Sequence, residues 1–450
     1  MGRLFGTDGI RGAAHEYPLT AEVIEEIGRA VASVFSGANN RAKIIIAKDT
    51  RLSGDMIEDA LAAGICSAGG EVCLAGILPT PAAAYLTVST DASAGIVISA
   101  SHNPFFDNGI KIFDADGFKL ADSKEDEIEN LLLGENTANS ADEIIRDTGS
   151  IESLKDASER YLAFLQNTVS DTGRFNGMKI GLDCSNGATY LVAPQLFRDL
   201  GAQIEAICVN PDGQNINADC GSEHPQSLIK AVIANGADIG LAFDGDGDRL
   251  VAVDEKGRVI TGDRILAICA RTLKRNGLLK NNMVVSTVMS NLGLRLALKE
   301  MGIQHLMTRV GDRYVLEQMR ANGAVIGGED SGHMIFLDQH TTGDGMLTAI
   351  RLIQSMCDEN KPLSELSQVM AVFPQVLLNI DVQKKPELKG VSEIMAAIRS
   401  VEDRLGEKGR VLVRYSGTQP LCRVMVEGPD KDETQLYCRQ IADVVKAVLG

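Results

Sequence analysis

"AGIVISASHNP", residues 94–104, is an apolar strand that runs into a polar loop, and it decides the fold because the same run and stop occurs three times. Upstream, "KIIIAKDTR" (43–51) makes a first strand, and a helical stretch from Gly54 to Ala68 ends at Gly69-Gly70. "EVCLAGI" then makes a second strand. The order returns at "KIGLDCSNG" (179–187), where Gly201 precedes "AQIEAICVN" and "DIGLAFDGDGD" (238–248) closes the unit. It returns again at "MVVSTVMSN" (283–291), where Gly302 precedes "IQHLMTRVGD" and "AVIGGEDSGH" (324–333) closes the unit. Short apolar strands alternating with amphipathic helices specify parallel α/β units. In open α/β sheets ligands gather beyond the carboxyl ends of the strands, and each unit carries a polar, glycine-containing loop there.

Beyond about residue 370 the pattern changes. "QVLLNIDVQ" is strand-like, "VSEIMAAIRSVEDRL" is helical, and "RVLVRYSGTQPLCRVMVEG" is two alternating strands about a polar loop. "KDETQLYCRQIADVVKAVL" closes the chain as a helix. The expected fold class is α/β, with three similar mixed α/β domains followed by a smaller C-terminal α+β domain.

Composition narrows the function. At about 150 residues per domain, 450 residues suggest roughly three domains. Hydrophobic residues at 44% supply real cores. Tryptophan is absent and aromatics are 4%, which argues against stacking platforms for nucleic acid. A formal charge of −17 repels nucleic-acid phosphates and anionic membranes. An anionic ligand therefore needs a local cluster of arginines, lysines and amides. The nine cysteines include no C-x-x-C pair, which disfavours a zinc site or a disulfide framework. The start "MGRLFGTDG" lacks the apolar core of a signal peptide, and Gly6 breaks the myristoylation pattern. No run of about 18 apolar residues is present, so a cytoplasmic location is expected. The sequence leaves a homodimer open.

The loops carry the chemistry. In "FDGDGDR" (243–249) Asp244, Asp246 and Asp248 alternate with glycines, and such crowded carboxylates repel one another without a cation among them. Hard oxygen ligands suit Mg²⁺ or Ca²⁺. An EF-hand is excluded, because its sixth position would be Arg249 where glycine is needed and both flanks read as strands. We therefore expect Mg²⁺ on a strand-end loop, with Arg249 facing a phosphate. Ser101 beside His102 is not a hydrolase signature: neighbouring side chains on an extended segment point to opposite faces, and no G-x-S-x-G elbow is present at Ser101, Ser185, Ser331 or Ser416. A serine near a metal loop and arginines suits phosphoryl transfer. "GTDGIRG" (6–12), with Arg11, and "RYSGTQP" (414–420), with Arg414, offer the amides, hydroxyls and arginines of anion nests. Neither has the Walker pattern.

Together GTDGIRG, SASHNP (99–104), DNGIK (107–111), DGDGDR (244–249), GEDSGH (328–333) and SGTQP (416–420) resemble the α-D-phosphohexomutases over nearly the whole chain. The likeness is greatest to the glucosamine-phosphate branch. It implies four domains around a central cleft, here divided as 1–150, 151–254, 255–369 and 370–450. By resemblance Ser101 is the phosphorylated serine, and with Asp244, Asp246 and Asp248 it holds one Mg²⁺ per chain. His102 and Lys111 are proton-transfer groups, and Arg11 and Arg249 face phosphate. Glu329, Ser331 and His333 read the sugar hydroxyls. Arg414, Ser416, Gly417, Thr418 and Arg423 grip the phosphate that does not react. The resemblance also implies a hexosamine 1,6-bisphosphate as intermediate and activator. The partner would be a small phosphosugar, with no nucleic acid or membrane, and the product would feed UDP-N-acetylglucosamine and wall synthesis. Two positions depart from the family: Gln419 stands where a glutamate is usual, and Asp330 where this branch carries glutamine. Asp330 either lies near the sugar or points to solvent. Phosphomannomutase/phosphoglucomutase activity and a non-catalytic sugar-phosphate sensor stay open; a serine hydrolase lacks a recognisable triad order.

Overall fold

The computed structural model describes residues 4–6, 8–37, 40–133, 149–169, 171–416 and 420–450. It divides into two compact units, residues 1–288 with 304–367, and residues 289–303 with 368–450.

The first unit contains three sheets built on one plan. The first sheet has strands β1 (Ile10–Ala13), β2 (Lys43–Lys48), β3 (Glu71–Ile77), β4 (Ala94–Ile98), β5 (Asp107–Asp114) and β6 (Ile151–Ser153), in the order β1-β5-β4-β2-β3-β6. The second has β7 (Lys179–Asp183), β8 (Gln203–Ile207), β9 (Ile239–Phe243), β10 (Leu250–Asp254) and β11 (Val259–Ile260), in the order β11-β10-β9-β7-β8. The third has β12 (Met283–Thr287), β13 (Gln304–Thr308), β14 (Ile326–Gly328) and β15 (Met334–Phe336), in the order β13-β12-β14-β15.

In each sheet the first strand of the repeat lies in the middle, with the second and third strands parallel to it on either side. Their apolar runs follow from burial on both faces: β4 and β9 are buried at every residue. The third strand of each repeat is then followed by an antiparallel return, β4 by β5, β9 by β10 and β14 by β15. This makes the sheets mixed, and it turns each polar loop into a hairpin connection. Phe243 pairs with Leu250, so the turn between them is residues 244–249; Gly328 pairs with Met334 about residues 329–333. Val97 pairs with Lys111, which sets the lysine on β5 beside the start of the Ser101 loop. The first sheet runs past residue 150 to its edge strand β6, and the second past 254 to β11.

The second unit is an antiparallel sheet, β16 (Gln375–Asp381), β17 (Arg410–Tyr415) and β18 (Leu421–Glu427), in the order β16-β18-β17. Helices Ser392–Leu405 and Lys431–Leu449 pack on it through Ile394, Val401, Ile441 and Val445, against Ile380 and Val424. Asp430 caps the last helix by accepting from the amides of Asp432 and Glu433, each at 2.9 Å. The helix Leu292–Glu300 also belongs here, although it follows β12 in the chain. The Leu292 amide donates to Glu427, and Asn291 donates to the Phe373 carbonyl.

Candidate active site

Ser101 sits just past the end of β4 in the left-handed region, at φ 54°, and is 1% exposed. This backbone conformation is unfavourable for a serine and persists only where surrounding bonds hold it. Asp49 anchors those bonds. It accepts from the Ser99 hydroxyl at 2.5 Å, and the Ser99 oxygen accepts the Ser101 amide at 2.9 Å. Asp49 also pairs with the Arg51 guanidinium at 2.9 Å. Arg51, itself buried, donates to the carbonyls of Ser101 (2.9 Å), Asn103 (2.8 Å), Asp107 (2.9 Å) and Pro104.

The Ser101 hydroxyl donates to Asp244 Oδ2 at 2.6 Å and lies 3.3 Å from His102 Nδ1. The second distance corrects the expectation that the two neighbouring side chains diverge. That expectation holds for extended backbone, and the left-handed turn at Ser101 brings them to one side. Burial, helped by the nearby Arg249 charge, pushes the His102 imidazole below its ordinary pKa, so the neutral ring is favoured.

Asp244, Asp246 and Asp248 are all buried, and each offers a ligand oxygen within 4.8 Å of the others. Burial, then the charges of Asp248 and Asp246, raise Asp244 well above the usual carboxylate range. At Asp246 burial acts the same way but is overcome by Lys111, which holds this carboxyl low. Lys111 Nζ lies 2.7 Å from Asp246, 3.2 Å from Asp8 and 3.5 Å from Asp248. Burial opposes its charge, but these carboxylates raise its pKa and keep it an ammonium. Thr80 donates to Asp246 Oδ2 at 2.6 Å. Asp246 Oδ1 and Asp248 Oδ1 are buried without a hydrogen-bond partner among the described residues. Buried carboxylate oxygens left this way fit a hard divalent cation.

Arg249 donates its amide to Asp244 Oδ1 at 3.1 Å, and its guanidinium lies 3.9 Å from Asp248 and 3.8 Å from Glu223. A backbone bridge ties Arg249 to His333, whose Nε2 lies 3.8 Å from Asp248 and 3.6 Å from Asp312. Arg11 pairs with Asp8 and reaches the Ala100 carbonyl at 3.5 Å. The contacts thus gather Ser101, His102, Lys111, Arg11, Arg249, His333 and the three aspartates. Glu329 and Ser331 share the His333 loop. Glu329 accepts from the Gly311 amide at 3.0 Å, and the Ser331 hydroxyl oxygen is buried without a partner among the described residues.

In the second unit Arg414 on β17 faces Arg423 on β18. Burial, then the Arg423 charge, lower the Arg414 pKa. Two like charges set directly opposite are unfavourable alone and suit an anion. Ser416 donates its amide to the Leu421 carbonyl, and its own carbonyl accepts from Lys385. Gly417, Thr418 and Gln419 lie outside the described residues.

Asp330 is exposed, but its side chain is engaged: Oδ1 accepts from the Asp263 amide at 3.0 Å, in the first turn of helix Gly262–Arg275. It serves there as a helix cap. The sequence assigns no role to Asp49, Arg51, Thr80, Lys119 or Asp312, nor to Asp8, which lies within GTDGIRG. Lys119 bonds to both Asp8 and Asp312, linking the first and third sheets' loops. The charges of KDTR (48–51) hinted at Asp49 and Arg51, and nothing local marked Thr80, Lys119 or Asp312. A second trio, Asp183, Cys208 and Cys220, also brings ligand atoms within 4.8 Å, but the Asp183 oxygens accept from the amides of Ser185 and Gly221.

Comparison with known proteins identifies the family. Models of the phosphoglucomutase/phosphomannomutase α/β/α domains I, II and III match residues 2–139, 159–257 and 261–373, and the model of the C-terminal domain matches 377–444. The chain belongs to the phosphoglucomutase/phosphomannomutase family. It is 57% identical over 453 residues to the phosphoglucosamine mutase of Syntrophus aciditrophicus, covering 100% of both chains. It is 57% identical over 450 residues to that of Syntrophobacter fumaroxidans, again covering 100% of both. Among solved structures, a phosphoglucomutase/phosphomannomutase family protein from Burkholderia thailandensis superposes with a TM-score of 0.81 at 25% identity, covering 99% of this chain and 97% of that one. The Aspergillus fumigatus N-acetylphosphoglucosamine mutase, solved with GlcNAc-6P and magnesium, shares the fold with a TM-score of 0.65 at 17% identity, covering 99% and 96%.

Proposed function

We propose that the protein is an enzyme, an isomerase of the phosphohexomutase family, that interconverts glucosamine 6-phosphate and glucosamine 1-phosphate. The full-length relatives at 57% identity support the sugar. The observation that carries the chemistry is the buried Ser101 hydroxyl, 2.6 Å from Asp244 in a loop that also holds Asp246 and Asp248.

The phosphoryl group leaves phosphorylated Ser101 as its Oγ–P bond breaks and passes to the free hydroxyl of the hexosamine phosphate; that hydroxyl gives up its proton, and the departing Ser101 oxygen takes one up to become a hydroxyl. The resulting 1,6-bisphosphate turns over and returns its other phosphoryl group to Ser101 Oγ as that sugar O–P bond breaks, the sugar oxygen taking up a proton to become the product's hydroxyl. On the return the hydroxyl proton of Ser101 has two acceptors at hand, Asp244 Oδ2 and the neutral His102 Nδ1. Lys111, kept protonated by its carboxylates, offsets charge at the reacting oxygens. Asp244, Asp246, Asp248 and the phosphate on Ser101 would hold one Mg²⁺, which when bound neutralises the transferring oxygens. Arg414 and Arg423, opposite each other on β17 and β18, suit a phosphate.

Turnover of glucosamine, mannose and glucose 6-phosphates, each with a trace of its 1,6-bisphosphate, tests this reading. The highest kcat/KM is expected with glucosamine. A preference for mannose or glucose would move the assignment within the family, and binding without turnover would make the protein a sensor.

A further inference from the structure

The Ser101 loop is held from two domains. Arg51 Nη2, from the first, donates to the carbonyls of Ser101 and Asn103 at 2.9 and 2.8 Å. Asn217, from the second, spends the two hydrogens of its amide on the same pair of carbonyls, at 2.9 and 3.0 Å. Each carbonyl oxygen has two lone pairs, and here both are filled, one from each domain. Asn217 is itself set for the purpose. Its φ is 58°, a region that asparagine tolerates better than most residues, and its backbone amide is tied to the Ser185 carbonyl at 2.9 Å. The neighbouring Ile216 is buried.

The metal loop closes on this same point. A Cβ placed on Gly245 would come within 2.6 Å of the Ser101 carbonyl, 2.8 Å of the Asn217 amide nitrogen and 2.9 Å of Ile216. Three loops therefore meet here, from the segments 99–104, 208–220 and 244–249. Arg51 can fix the shape of the Ser101 loop within its own domain. It cannot fix where that loop lies relative to the aspartates, which belong to the other domain.

We infer that Asn217 is a positioning residue for phosphoryl transfer: it fastens the Ser101 loop to the domain that carries Asp244, Asp246 and Asp248 and so sets the hydroxyl against the carboxylates. The inference rests on Ser101 being the phosphoryl carrier. The Asn217 amide is spent on the two loop carbonyls, so its effect falls on the reacting geometry and not on sugar binding.

Asn217→Gly tests this, because glycine keeps the left-handed backbone and removes only the amide. Asn217→Asp keeps the shape but sets a carboxylate, with no donor, against two carbonyls. In the full-length enzyme kcat is expected to fall about 10-fold in Asn217→Gly and further in Asn217→Asp, as small misplacements of reacting groups do. The half-saturating Mg²⁺ concentration should rise while KM for glucosamine 6-phosphate stays within about twofold. Thermal melts run alongside distinguish a structural role, which would lower the melting temperature and leave the kcat and Mg²⁺ dependence of the folded enzyme alone. Wild-type kcat and Mg²⁺ dependence in Asn217→Gly would overturn the inference, as would a loss that appears wholly in KM. An active Ser101→Ala enzyme would overturn the carrier assignment beneath it as well; a normal Asn217→Gly beside an inactive Ser101→Ala would overturn this inference alone.

Discussion

The Ser101 hydroxyl donates to the Asp244 carboxylate across 2.6 Å, although 143 residues separate them in the chain. The bond joins the loops that end β4 and β9, the third strands of two similar repeats. Because both loops leave the carboxyl ends of parallel strands, the fold sets the Ser101 hydroxyl from one repeat against a carboxylate cluster from the next. The energetic difficulty of this arrangement is three buried acids beside one another, and the predictions below follow from how the surrounding residues relieve it.

Lys111 supplies buried positive charge to Asp246, Asp248 and Asp8. Removing one partner of a buried ionic group leaves uncompensated charge and costs about 3 kcal/mol or more. Lys111→Met should therefore melt earlier in EDTA, and added Mg²⁺ should raise its melting temperature by more than it raises that of the wild type. Equal melting in EDTA would show that the ammonium is not what stabilises the cluster.

Arg51 fastens four backbone carbonyls of one loop with a single planar guanidinium. Lysine keeps the charge but cannot reproduce the fork. Arg51→Lys should lower kcat by about 10-fold or more, together with a loss of stability seen in denaturant unfolding. A variant with wild-type turnover would remove Arg51 from the account.

His340 is buried, with Nε2 2.9 Å from the Pro81 carbonyl, and burial lowers its pKa to about 4. Below its unfolded value of 6.5 the unfolded chain binds a proton that the folded chain refuses. Stability from this group is thus full above pH 6.5 and is lost as pH falls toward about 4, a loss of about 3 kcal/mol in all. Urea unfolding across that window should show the decline, and His340→Leu should flatten it. An unchanged slope in the variant would assign the acid sensitivity elsewhere.

Asp330 caps helix Gly262–Arg275 through the Asp263 amide. Asp330→Ala should cost about 1 kcal/mol of stability and leave the ratio of glucosamine to glucose turnover as it was. A changed ratio would return this carboxylate to the sugar.

The threefold order of strands and helices was legible because apolar runs, glycine stops and polar strand ends recur in the same sequence each time. The aspartate cluster was legible too, since aspartates alternating with glycines between two strand-like runs must crowd at one strand end, and the structure buries all three together. What escaped has a common cause. Met334–Phe336 is a return strand of three residues, too short to show a period. The helix Leu292–Glu300 looks like any repeat helix, and long-range bonds, from its first amide to Glu427 and from Asn291 to Phe373, tie it to the C-terminal unit. Asp49 and Arg51 are two charges at a strand end, and what they hold lies about 50 residues away. Local pattern reports local structure; the support around the nucleophile is made of contacts between distant loops. The divergence expected of Ser101 and His102 failed for a related reason, because a left-handed serine cannot be read from its neighbours.

The most direct test of the central claim is the mutase activity of Ser101→Ala, assayed with Mg²⁺ and glucosamine 1,6-bisphosphate present and with a melting curve to show that the variant is folded. The account predicts a fall of about 1,000-fold or more, as expected when the covalent carrier is removed. Full activity in the folded variant would contradict it.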